Sequence, residues 1–319
     1  MRALNTFLLE AGNDAMFDDY AALYNAIDSL DNPDHVRISG NYFRSSFSHP
    51  DIEVGRDIVL IHSSEGTLVA AGTIFSQKTS PMNSSVTVQV HPDFRNRGLG
   101  SLVLEHLIES GKKRGATIFE CRIPNFRADA ISFVEFHGFK YNYSWIKMRL
   151  ELSKPLEPED NPRDLKFRVL DSKRELKTWL TLHNEIYKDG VDNDVTTISR
   201  LKAQAKHINF DPNLLVICEL NDIPIGISSG WSSNNGTDNK GLQIQGLGIL
   251  SKYRQRGFGQ ALLVEILNRA FRSGYKFAEL VVHNANDAAI GLYEKFEFHE
   301  RYRHLWYKRE SPHCGAHLG

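Results

Sequence analysis

The sequence predicts an α+β protein of mixed α/β layers, built as two tandem copies of one domain. Three observations carry this. The pattern Arg-x-Arg-Gly-x-Gly occurs twice, as Arg95-Asn96-Arg97-Gly98-Leu99-Gly100 and as Arg254-Gln255-Arg256-Gly257-Phe258-Gly259, and the copies lie 254 − 95 = 159 residues apart in a chain of 319. At the same offset, without a gap, Leu104 matches Leu263, Gly115 matches Gly274, Glu120 matches Glu279, Asn125 matches Asn284, Glu135 matches Glu294 and Phe139 matches Phe298, the internal self-similarity that marks a repeated unit. Around each copy hairpin strands outnumber crossover helices, which favours a mixed layer over a doubly wound nucleotide fold.

The elements follow in order. Phe17–Leu30 is expected as a helix, and 57–62 and 67–75 as strands of a hairpin across Ser63-Ser64-Glu65-Gly66. Val86–Val90 leads as a strand into the first glycine loop. Leu102–Arg114 is the helix behind it, with Leu104, Leu107 and Ile108 on one face. Ala116–Ile123 is a strand, Ala128–Phe136 a short helix and Tyr143–Leu152 a closing strand. Pro155, Pro158 and Pro162 among acidic residues then make an extended linker. The second half restarts with strand 165–170 and helices 173–187 and 196–208. A hairpin of 214–220 and 223–230 across Asn221-Asp222 follows, with a long polar loop from Ser228 to Gly241. Strand 242–250, helix 259–272, strand 277–282, helix 288–296 and strand 302–308 complete it. The expected domains are 1–152 and 164–319, joined by a linker over 153–163.

Composition narrows the class. Hydrophobic content of 41%, charged content of 24% and a net charge of −1 are ordinary for a globular protein and give no electrostatic reason for a nucleic-acid partner. The N-terminus shows no apolar leader and no run approaches about 18 consecutive apolar residues, so a cytoplasmic protein without a membrane partner, monomer or homodimer, is expected. Cys121, Cys218 and Cys314 are unclustered. The first two fit buried small hydrophobes, and neither a disulfide framework nor a metal site is expected.

The chemistry begins at the doubled loop. Glycines at its fourth and sixth positions let backbone N–H groups turn inward, and the helix behind adds partial positive charge, so the ligand should carry phosphate. A dinucleotide fingerprint needs a third glycine where Val103 and Leu262 stand, and a Walker loop needs Gly-Lys-Ser/Thr, which is absent.

Arg-x-x-Gly-x-Gly between strand and helix resembles the acetyl-coenzyme A loop of the GNAT superfamily of N-acyltransferases. The segment Asn286-Asp287-Ala288-Ala289-Ile290-Gly291-Leu292-Tyr293-Glu294-Lys295-Phe296-Glu297-Phe298 resembles that family's later motif, Asn-x-x-Ala-x-x-Leu-Tyr-Glu-Lys-x-Gly-Phe. Glu297 replaces the motif's glycine, which bears on the turn and not on the chemistry. The resemblance implies two tandem domains, each a mostly antiparallel mixed sheet with a splayed central strand pair flanked by helices. It also implies acetyl-CoA as cosubstrate and CoA as product. Coenzyme contacts then fall on Arg254, Gln255, Arg256, Gly257, Phe258, Gly259 and Gln260, and on Arg95, Asn96, Arg97, Gly98, Leu99, Gly100 and Ser101. Leu247 and Ile249 become amide donors on the splayed strand, where Gly246 and Gly248 suit a bulge, with Val88 and Val90 at the matching first-half positions. Asn286 contacts the pantetheine or the helix start, and Tyr293 gives a proton to the departing thiolate.

The place matching Tyr293 is 293 − 159 = 134, which is Val134, and the place matching Asn286 holds Arg127. The first half is therefore expected to be catalytically degenerate. No base stands on the splayed strand, and Glu219, Glu279 and His283 remain as distant candidates. The expected activity is acetyl transfer to a primary amine of a small molecule or peptide. The alternatives are two active domains with different acceptors or acyl groups, or a non-enzymatic acyl-coenzyme A sensor.

Overall fold

In a computed structural model that describes residues 7–76, 82–157, 164–171, 174–188, 195–233 and 240–311, the apolar runs form two sets of strands. The chain groups into two units: residues up to Ser144 with those from His304 onward, and Trp145–Arg303.

The first unit runs β1 (Leu8–Ala11), α1 (Phe17–Asp28), α2 (Gly40–Phe47), α3 (Val54–Asp57), β2 (Ile58–His62), β3 (Leu68–Ser76), β4 (Asn83–Val90), α4 (Leu99–Lys113), β5 (Ile118–Pro124), α5 (Ala128–Phe136) and the start of β6 (Lys140–Glu151). Strands β1 to β4 pair antiparallel in order. β4 and β5 then pair parallel only from Asn83 to Ser85 against Ile118 to Glu120. β2 is buried on both faces, which is why it reads as an uninterrupted apolar run. Val59 and Ile61 pack under α4 with Val103, Leu104, Leu107 and Ile108, while Ile58 and Leu60 pack under α1 with Phe17, Tyr20, Leu23 and Ile27.

The second unit repeats this plan: β7 (Leu165–Val169), α6 (Leu176–Tyr187), α7 (Ile198–Gln204), β8 (Val216–Leu220), β9 (Ile223–Ser232), β10 (Gly241–Ile249), α8 (Phe258–Arg272), β11 (Phe277–His283), α9 (Asp287–Lys295) and β12 (His299–Glu310). Asn221 and Asp222 both have positive φ, 51° and 63°, as a two-residue hairpin turn between β8 and β9 requires. β10 and β11 pair parallel over Gly241–Gln243 and Phe277–Glu279 and no further. α6 and α7 cover one face through Trp179, Leu182, Ile186 and Leu201. α8 and α9 cover the other through Leu263, Ile266, Leu267, Ala270 and Tyr293. Both faces are thus lined by helices, and the sheets are mostly antiparallel, as the α+β reading required. Among the described residues no helix is long and apolar enough to cross a membrane.

Four local differences from the sequence reading have physical causes. β1 and α3 have four residues each, too short to leave a period. α2 carries Gly40, Ser45 and Ser46, which are poor helix formers, and it forms because Phe43 is buried against Tyr20, with ring centroids 4.8 Å apart. Ser228–Ser232 continue β9 and pair with β10, so the polar stretch is strand to Ser232, and 234–239 lie outside the described residues, as does Cys314. The closing strands are exchanged: Trp145–Glu151 of β6 pair with β11, and His304–Glu310 of β12 pair with β5.

A buried carboxylate fixes the end of α4. Asp57, 2% exposed, accepts from Arg56, from the Glu53 amide and from Arg114 at 2.6 Å. Burial opposes its ionisation, but these donors outweigh burial and hold its pKa below the usual carboxylate range. The Asp57 contribution is therefore fully present above the unfolded-chain pKa of about 3.9 and disappears as pH falls through the lower folded value. D57N should lose about 2 kcal/mol at pH 7, and urea unfolding should show that gap narrowing as pH falls below the unfolded-chain value of about 3.9. At the turn after α9, Glu297 keeps a left-handed φ of 63°, matching 78° at Gly138, so the missing glycine has not reshaped the turn. Because a side chain there is strained by about 1–2 kcal/mol and glycine's larger unfolded-state freedom offsets part of the relief, E297G should raise the thermal midpoint.

Candidate active site

Each glycine loop closes the end of a splayed strand onto a helix start. In the second unit Gln255 and Gly257 have φ of 61° and 80°, and in the first Asn96 and Gly98 have 59° and 80°. Two left-handed residues separated by one turn the loop N–H groups to one side, and the N-terminus of a fifteen-residue helix stands behind them, a concavity suited to anions. The sixth-position glycine serves a different end. A Cβ on Gly259 would meet only Ile249 at 3.9 Å, so the space above it is open, whereas one on Gly100 would stand 3.2 Å from the Phe133 ring.

β10 supplies the facing wall. Its pairing with β9 slips between Ile244 and Gly246, the bulge the two glycines suggested. Their identity follows from α6: a Cβ on Gly248 would lie 2.3 Å from Ile186 Cγ2, and one on Gly246 3.0 Å from the Tyr187 hydroxyl. Arg254 fastens this approach, donating from Nε to the Ile249 carbonyl at 3.0 Å and from Nη2 to the Ile186 carbonyl at 2.8 Å. The loop's first arginine thus spends its side chain on tying α6 to the bulged strand. In the first unit Arg95 instead faces Asp129 at 3.3 Å. Arg97 lies over the Phe94 ring and donates to the Asp93 carbonyl.

Tyr293 projects from α9 into the core beneath the splay, 9% exposed and 5.7 Å from Phe298 between ring centroids. Burial pushes its pKa up to about 12, so the phenol is protonated throughout the neutral range. Tyr187 approaches from the opposite face; burial raises its pKa, and Tyr293 is near enough to add to that rise. Sequence reading missed Tyr187, and its one signal was position: α1 and α6 match at the 159-residue offset (176 − 17 and 187 − 28).

The remaining expected residues fall as follows. Asn286 caps α9, its side chain accepting from the Ala289 amide at 3.2 Å, the helix-start role. Gln260 accepts from Lys295 at 3.1 Å. Glu219 is held by Arg168 at 2.8 Å, and Glu279, 5% exposed, by Lys147 and Arg149 at 3.0 and 2.6 Å. His283 Nδ1 accepts from the Ala285 amide at 3.1 Å. Both carboxylates are committed to cations. Cys121 and Cys218 are buried, and burial raises each thiol to about 12.

In the first unit Val88 and Val90 line β4, with Val90 3.7 Å from the Cβ position of Gly100. Val134 is buried and apolar. Arg127 reaches from the start of α5 to Asp28 at 2.8 Å and Asp31 at 3.2 Å, bridging to the end of α1. Ser101 is hydrogen-bonded to His137 at 3.0 Å. The loop is kept, while both tyrosine positions are replaced, by Asp28 and Val134.

Known proteins share this construction. The model of the acetyltransferase (GNAT) family matches residues 22–139 and 176–298. Mycothiol acetyltransferase of Thermobispora bispora is 26% identical over 230 residues, covering 72% of this chain and 76% of that protein. Its namesake from Acidothermus cellulolyticus is 26% identical over 241 residues, covering 72% of each. Among solved structures, a GCN5-related N-acetyltransferase from Sphaerobacter thermophilus superposes with a TM-score of 0.77 at 21% identity, over 97% of both chains. A tandem GNAT protein from the clavulanic acid biosynthesis pathway gives 0.75 at 16% identity, over 96% of this chain and 98% of that one. With a loop, a splayed strand pair and a family match in each half, the chain belongs to the GNAT acetyltransferase family, as a tandem of two such domains, and is an acyl-coenzyme A-dependent acetyltransferase.

Proposed function

We propose that the second unit transfers an acetyl group from acetyl-CoA to a primary amine of a small molecule or peptide, releasing CoA, with Tyr293 as proton donor at the leaving sulfur. The observation that carries this is the asymmetry at one position: a buried, protonated phenol at Tyr293 and a valine at Val134, on frames that otherwise correspond. The relatives named for mycothiol acetylation favour a small-molecule acceptor.

The residues present fit the cosubstrate. The inward-turned amides of Gln255 to Gln260 and the α8 N-terminus suit a pyrophosphate, the open space over Gly259 leaves it room, and the unpaired edges of β10 and β11 suit a pantetheine amide. When bound, acetyl-CoA supplies the activated acyl group as a thioester. The chain's own groups do the rest. The Leu247 and Ile249 stretch of β10 offers backbone donors to the acyl oxygen, directly or through a bridging hydroxyl, as negative charge develops there, an effect worth about 2.7–4 kcal/mol per donor.

Tyr293 faces the sulfur with its hydrogen. A phenol at about 12 holds its proton more tightly than a thiol of pKa about 8.5, so outright transfer to the sulfur is uphill by about 5 kcal/mol. Its part is therefore a hydrogen bond that strengthens as the C–S bond breaks, with the proton completing its transfer to sulfur only as the attacking nitrogen gives one up through water, which restores the phenol. Amine and thioester thereby become amide and thiol. Because Glu219 and Glu279 are ion-paired, the amine enters as its free base, already deprotonated by solvent.

Replacing Tyr293 by Phe should lower kcat by about 10²-fold or more, measured as thiol release with a panel of amines, while CoA affinity by calorimetry stays within a factor of a few. Full turnover in that variant would remove Tyr293 from the mechanism and return the first unit to consideration. The pH profile provides a second check. Activity should rise with deprotonation of the amine and show no fall up to pH 10, because burial pushes the Tyr293 phenol up to about 12 and keeps it protonated there. A descending limb centred near pH 10 that vanishes in Y293F would contradict this environment for the phenol.

A further inference from the structure

Tyr187 carries a buried hydroxyl that no described residue of the second unit satisfies. Its Oη is shut off from solvent and makes no hydrogen bond of good geometry, an arrangement that ordinarily costs about 1–3 kcal/mol and calls for an explanation. The atom's position supplies one. It stands 3.0 Å and 3.4 Å from the places a Cβ would occupy on Gly246 and Gly248, directly over the bulge of β10. The side chain is held there deliberately: α6 packs through Ile186 and Leu182, and Arg254 donates to the Ile186 carbonyl and to Ile249 at the end of the same strand. The Leu247 amide is turned toward the phenol oxygen and moderates the rise that burial imposes on its pKa. With an N–H at its oxygen and its own hydrogen unclaimed, the phenol is a donor waiting for an acceptor that none of the described residues supplies.

We propose that Tyr187 donates a hydrogen bond to the thioester carbonyl oxygen, extending the Leu247 amide by one hydroxyl and so forming, with β10, the donor set that stabilises negative charge on that oxygen. This rests on the proposed acetyl transfer in the second unit. The chain Leu247 N–H to Tyr187 O–H to carbonyl oxygen strengthens link by link, and it places one tyrosine on each face of the sheet, Tyr187 at the oxygen and Tyr293 at the sulfur. No electron pair or proton changes owner at Tyr187. The first unit has no such group, since Asp28 stands at the matching position and is taken by Arg127.

The test is Tyr187→Phe in the full chain, read four ways. Removing an unsatisfied buried hydroxyl should leave the thermal midpoint unchanged or raised. Affinity for CoA itself should be unchanged. Wild type should bind S-acetonyl-CoA, an inert thioether with a ketone, about tenfold more tightly than S-propyl-CoA, which lacks the oxygen, and Y187F should lose that preference. Turnover should drop about 10²-fold with little change in KM. If Y187F keeps both the preference and kcat, the inference falls while the acetyl-transfer reading stands. If it loses stability and activity together with CoA affinity, Tyr187 is only a packing residue. If wild type binds none of the three compounds, both readings fall.

Discussion

Parallel pairing between β10 and β11 stops after Gln243 and Glu279, and the organisation of the second unit follows from the backbone left unpaired there. Buried N–H and C=O groups must find partners, and a strand edge inside a covered sheet has no water to turn to. The slip at Ile244 to Gly246 re-aims the edge, the two glycines let α6 approach it, and Arg254 holds the approach from the loop that follows. Glycine loop, bulge and the Tyr187 helix are thus one mechanical assembly. Its first arginine works on the protein's own carbonyls, which shows how a residue in a ligand-binding pattern can be needed for the shape of the site as much as for contact.

How far the sequence disclosed this depended on whether the signal was local. Loop, helix and strand patterns around each glycine motif were legible because positive-φ glycines and 3.6-residue apolar spacing are properties of a few neighbouring residues. α5 at Ala128–Phe136 was legible to the residue. The exchange of β6 and β12 was not, and it had no means of being so. Ile118 pairs with Glu310 and Phe277 with Glu151, and Glu310 and Glu151 occupy the same place in the repeat, 310 − 151 = 159. Each closing strand carries an equivalent pattern and fits either sheet in the same register, so alternation and propensity give the same answer for both pairings.

Tyr187 was illegible for a related reason. On its own helix it is one more apolar-face aromatic, and what singles it out is the absence of Cβ atoms at Gly246 and Gly248, about sixty residues away. The two glycines were read correctly as a bulge with close backbone approach, yet the approaching group lay beyond any local window. Glu219 and Glu279 illustrate the converse. As isolated acidic residues they were distant candidates for a base or for salt bridges, and cross-strand register decides for the latter by bringing Arg168 to the one and Arg149 to the other.

The repeat allows the two halves to act as controls for one another. Helix lengths, the left-handed loop residues and the brief parallel contact recur, so these belong to the frame and persist whether or not chemistry is performed. Three positions around the splay differ together: Asp28 against Tyr187, Arg127 against Asn286, Val134 against Tyr293. Independent drift would leave unpaired polar groups, and a buried aspartate alone would be costly. Instead Asp28 and Arg127 answer each other at 2.8 Å, and the valine needs no partner. At these positions the first unit holds groups that satisfy themselves, whereas the second holds a buried phenol whose hydroxyl has no partner among the described residues.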